Sequence, residues 1–71
     1  MTATWPPGLI AFATRTGRTW AREYYRYGRA STPDHFFRRK INTATEPLVL
    51  MLRPEIAASY VQAVKEGAGN G

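Results

Sequence analysis

A chain of 71 residues buries only about 60% of the surface it exposes when unfolded, so the sequence describes one small domain with a marginal core. It has no cysteine, which excludes a disulfide framework and a thiolate metal site, while its 44% hydrophobic content argues against a disordered chain. The net charge of +5 sits in one half: residues 1–40 hold eight of the ten Lys and Arg against Glu23 and Asp34, and residues 41–71 are slightly acidic, a division that points to a polyanion-facing first half.

Residues 1–7 read as an extended lead-in, because Pro6-Pro7 favours a polyproline-like path. A first helix is expected from Gly8 to Gly28 or Arg29. Within it Arg15, Arg18, Arg22, Arg26 and Arg29 recur at spacings of three and four, which places them within an arc of roughly 80° and a length of about 21 Å. Across the same wheel lie Leu9, Ala13, Gly17, Trp20, Tyr24 and Tyr27. Five like charges on one face repel one another, so the stripe is better explained by an anionic partner than by stability. Arginine outnumbers lysine eight to two, which suits bidentate contacts to phosphate or carboxylate. Gly17 is a poor helix residue by about 1 kcal/mol relative to Ala, and its place on the aromatic side implies close approach by a packing neighbour. Trp20, Tyr24 and Tyr27 read as core. Tyr25 is expected to project away from that seam, beside the arginines, as a candidate for stacking on a base.

Ser31-Thr32-Pro33-Asp34 marks a helix start: a hydroxyl cap, a proline at the first position and an acid in the first turn. The second helix is expected over Pro33 to Ile41, burying Phe37 with Ile41. Its basic run Arg38, Arg39 and Lys40 is read as extending the cationic surface. His35, the only histidine, stands next to Asp34 as half of an acid–base pair, but with no third partner and no pocket signature it reads as a surface residue in the first turn of a helix. Residues 42–47 form a connector.

The apolar run 48–52 is too short to type by periodicity and reads as a short buried strand or a final apolar turn, with a break at Arg53 imposed by Pro54. A last helix is expected from Pro54 to Glu66. Ile56, Tyr60, Ala63 and Val64 form its apolar stripe, with Glu55, Ser59, Gln62 and Glu66 facing away. Gly67 stops it and begins a flexible tail, 67–71. The stretch from Pro47 to Gly67 resembles the first half of a ribbon-helix-helix repressor. It differs in having a uniformly apolar strand instead of an alternating one and no second helix after the first, so that family's function is not carried over.

The expected fold is mainly α: a small three-helix arrangement over 8–66 with one possible short strand at 48–52. No metal-ligand spacing, phosphate-cradling glycine loop or paired catalytic carboxylates occur, so neither an enzyme nor a cofactor is expected. The expected function is non-catalytic docking on a polyanion through Arg15, Arg18, Arg22, Arg26 and Arg29, assisted by Arg38, Arg39, Lys40 and Tyr25. The expected partner is a nucleic-acid backbone, DNA or RNA. The alternative is an accessory subunit of a larger complex, its arginine helix against acidic protein or anionic lipid. The marginal core suits an oligomer or a larger assembly. With no spanning segment and no basic residue ahead of its first apolar stretch, the chain is expected in the cytoplasm or in an organelle, not secreted. Its Arg- and Thr-rich start has the composition of a mitochondrial transit peptide.

Overall fold

The computed structural model describes residues 5–67. Helix α1 (Pro7–Glu23) continues without a break into a single π-helical turn (Tyr24–Gly28), and α2 (Pro33–Thr43), α3 (Pro47–Met51) and α4 (Arg53–Glu66) follow. The protein is mainly α, as expected, and no strand occurs among the described residues. The extended lead-in is seen only at Trp5 and Pro6; its first four residues, and the expected tail beyond Gly67, lie outside the described residues.

Each helix begins where the chain loses a backbone donor or gains a cap. Pro7, Pro33, Pro47 and Pro54 all stand in the first turn of their helices, where a missing N–H has no intrahelical role. The Thr32 hydroxyl accepts a 3.1 Å hydrogen bond from the backbone N–H of His35, so α2 carries the expected side-chain cap. Gly67 ends α4 at φ 74°, the one positive φ among the described residues, where an L side chain would be strained.

The possible strand at 48–52 is helical. The Leu52 N–H donates to the Leu48 carbonyl at 2.9 Å, closing a turn, and the buried residues in this region are Val49, Leu52 and Ile56. Spacings of three and four belong to a helix; a strand would bury alternate positions. Pro54 is accommodated because Leu52, at φ −94° and ψ 15°, separates α3 from α4. The arrangement therefore has four α-helices instead of three, and the likeness to a ribbon-helix-helix half lapses with its strand.

The main packing contact is α1 against α4, and it is made backbone to backbone. A β-carbon on Gly17 would stand 2.7 Å from the Ser59 Cβ and the Tyr60 nitrogen, and 2.8 Å from the Ile56 carbonyl oxygen. The close approach inferred from a mid-helix glycine is real. Ser59, expected to face outward, instead sits at this crossing and donates from its hydroxyl to the Thr14 carbonyl at 2.9 Å. Its small side chain fits the crossing and its hydroxyl is satisfied there.

Helix α2 closes the core from the other side. The Phe37 ring stacks tilted against Trp20 at 5.6 Å and Tyr60 at 5.1 Å, while Phe36 meets Tyr24 edge-on at 5.7 Å. Tyr60 is buried, and its hydroxyl donates to the Pro33 carbonyl at 2.8 Å, tying α4 to the start of α2. Such offset aromatic pairs add about 0.5–1.5 kcal/mol each beyond area burial, which matters in a core this small.

Candidate polyanion interface

The outer side of the α1 rod carries the arginines. Its inner side is set by Ala13, Gly17, Ala21 and Tyr24, all buried, so residues half a turn away face solvent. Arg15, Arg22, Arg26 and Arg29 are exposed, and none forms an ion pair among the described residues. Four unpaired guanidiniums thus lie over about 20 Å of chain, Arg15 and Arg22 on α1, Arg26 in the π turn and Arg29 just past its end.

Arg18 differs. It lies on the flank of α1 facing α4, where its guanidinium comes within 3.5 Å of the Glu66 carboxylate, the two side chains 42% and 49% exposed. An ion pair this exposed contributes at most about 1 kcal/mol, so Arg18 can exchange Glu66 for an external anion.

The π turn alters the end of the stripe. An i→i+5 turn holds one more residue than an α turn and rotates whatever follows. Arg29 lies just beyond it, with its guanidinium carbon 5.8 Å from the centre of the Tyr25 ring. Tyr25 itself corrects the sequence reading. It is half-buried against the core, its hydroxyl donates to the Val64 carbonyl of α4 at 3.0 Å, and its ring meets Tyr24 at 5.3 Å. It stands on the inner flank as a clamp between α1 and α4, with Arg29 over its outer face. Tyr27, expected in the core, is 65% exposed; the same rotation carries it out.

The basic run in α2 is divided three ways. Lys40 turns inward: its ammonium donates to the Glu23 carboxylate at 2.6 Å and lies 5.4 Å from the centre of the Trp20 ring and 5.9 Å from that of Phe36. With these side chains only 30% and 28% exposed, Lys40 is a structural cation and leaves the docking surface. Burial opposes ionisation of Glu23, but the Lys40 hydrogen bond, the Tyr27 hydroxyl and the charges of Lys40 and Arg26 outweigh it and hold the carboxyl below its ordinary range. Arg38 pairs with Asp34 at 3.0 Å on the exposed face of α2. Arg39 is exposed without an ion pair among the described residues.

A second feature escaped the sequence. Between the first turn of α2 and the length of α4 runs a groove of about 720 Å³, floored by Phe37 and Tyr60, walled by Ala57 and Val61 and edged by Arg38, Arg53 and Lys65. Its signal was the spacing of Pro54, Ala57, Val61 and Val64, a second apolar stripe beside the core stripe of α4.

No group of His, Asp and Glu among the described residues could hold a metal ion, and no helix among them is long and apolar enough to cross a membrane. No protein-family model, curated protein or solved structure matches this chain.

Proposed function

We propose that this is a small basic, non-catalytic protein that lays the outer face of α1 along a polyanion, most favourably the phosphate backbone of a nucleic acid. The observation that carries the reading is the set Arg15, Arg22 and Arg26, exposed along the continuous rod of α1 and its π turn, with Arg29 exposed just past its end, all without acidic partners among the described residues. Arg18 joins them by exchanging Glu66. A rigid helix fixes the backbone positions from which the guanidiniums project, so docking orders the arginine side chains but no backbone. Phosphate contacts of this kind position a protein without reading bases, so sequence specificity is low. With Tyr25 held by Val64, Lys40 by Glu23, and Arg38 at the edge of the α2–α4 groove, the binding set contracts to Arg15, Arg18, Arg22, Arg26 and Arg29. A salt titration of binding to duplex DNA tests this: steep loss of affinity with rising salt supports it, and binding indifferent to salt overturns it.

A second reading is supported by the exposure of Leu50 and Met51 on α3: an accessory subunit of a larger assembly, with the same arginines against acidic protein or anionic lipid. Co-sedimentation with anionic vesicles, in the absence of any shift by DNA or RNA, would favour it.

A further inference from the structure

The groove between α2 and α4 lies on a different helix pair from the arginine face and calls for a different ligand. Along α4 its wall is Pro54, Ala57, Val61 and Val64, a repeat of three, four and three residues. That stripe is about 15 Å long, nearly three helical turns. Val61 is 49% exposed although it is apolar and central to the stripe. Phe37 and Tyr60 form the floor, both packed ring to ring, so the groove is preformed on a rigid base. A smaller polar recess bordered by Phe37, Arg38, Ile41, Asn42 and Arg53 adjoins it, bringing the Arg38 and Arg53 side chains to one end.

Charge selects the occupant. Arg38, Arg53 and Lys65 edge the groove, and Asp34, the one acid among its lining residues, is held by Arg38. A second copy of this chain has no net acidic helix to offer: cations outnumber acids on α1 and α2, α3 carries no charge, and on α4 Arg53 and Lys65 balance Glu55 and Glu66. An apolar groove bounded by cations, with a wall repeating at helical spacing, matches a helix with apolar residues at i, i+3 or i+4 and i+7 and acids on its flanks. We propose that this groove receives an acidic amphipathic helix from a partner protein, its apolar side chains meeting Phe37, Ala57, Val61 and Val64 and its carboxylates meeting Arg38, Arg53 and Lys65.

The test uses the full chain and a fluorescein-labelled helical peptide of about 18 residues, with Leu at i, i+3, i+4 and i+7 and Glu on the flanks, alongside its counterpart with Lys in place of Glu. Fluorescence anisotropy should show micromolar binding of the acidic peptide only. Val61→Glu and Arg53→Glu should each weaken it at least about tenfold, whereas the double variant Arg22→Ala/Arg26→Ala should leave it unchanged while weakening DNA binding. Both groove positions are exposed, so the variants should keep the wild-type circular dichroism; if Val61→Glu does not, Val61→Gln takes its place. No binding of the acidic peptide, equal binding of the Lys peptide, or sensitivity to the α1 variant instead of the groove variants would overturn the proposal. So would saturable binding of dodecanoate in the groove without binding of the acidic peptide, which would make the site one for a small anionic amphiphile.

Discussion

The backbone nitrogen of Tyr60 lies 2.7 Å from where a β-carbon on Gly17 would stand. Because the obstructing atoms are two backbone atoms of α4 and the Ser59 Cβ, which no side-chain rotation moves, the crossing cannot relax by turning a side chain. Gly17→Ala should therefore destabilise the fold by roughly 1–3 kcal/mol, even though alanine favours a helix by about 1 kcal/mol. Gly8→Ala is the control, since nothing stands within 4 Å of its added carbon, and it should be neutral or slightly stabilising. Urea denaturation followed by circular dichroism measures both.

The Glu23–Lys40 pair predicts an acid limb. The Glu23 carboxyl ionises below its unfolded value of 4.5, so its stabilising contribution is complete above that pH and is lost as pH falls through the lower folded value. Glu23→Gln should cost roughly 0.5–1.5 kcal/mol at neutral pH, and the gap from wild type should close in acid. Denaturant midpoints of both proteins across the acid range measure the gap; a gap that does not vary with pH would contradict the account. Lys40→Ala should lower stability and leave polyanion affinity nearly intact, because Lys40 is spent internally.

Tyr60 predicts an alkaline limb. Burial, reinforced by Tyr24, Tyr25 and Asp34, pushes its hydroxyl up from 10.0 to about 12. A raised folded value means the neutral form stabilises the fold fully below pH 10 and that this contribution fades as pH climbs toward 12. Tyr60→Phe should flatten this limb, at a cost of about 1 kcal/mol near neutrality for the hydrogen bond lost to the Pro33 carbonyl. Unfolding midpoints from neutral to strongly alkaline pH, together with tyrosinate absorbance, test the pair.

The rod from Pro7 to Gly28, the cap on α2 and the reason for Gly17 were legible because each depends on chemistry within a few residues. Where the reading failed, long-range contacts or a local irregularity decided. A regular 3.6-residue repeat places Tyr25 outward and Tyr27 inward, but the π turn exchanges them. Lys40 is adjacent to Arg38 and Arg39 in sequence, yet its carboxylate partner lies 17 residues away on another helix. The run 48–52 covers little more than one turn, too short for any period to register, so only the burial of Val49 and Leu52 types it. Ser59 reads as outward-facing because it is polar, but at the helix crossing its small side chain fits and its hydroxyl finds the Thr14 carbonyl, 45 residues away in sequence. The exposed arginines themselves were readable one by one, but the Arg18–Glu66 pair and the α2–α4 groove exist only once the chain has folded.

The most direct test of the docking account is the salt dependence of binding to a short fluorescein-labelled DNA duplex, read by anisotropy between about 50 and 200 mM salt. Release of counterions from about four or five phosphates predicts a log–log slope near −4 for the wild-type chain. Removing two of the contacts in Arg22→Ala/Arg26→Ala should bring the slope to about −2. A wild-type slope near zero, or an unchanged slope in the variant, would contradict the claim that the α1 arginines hold a polyanion.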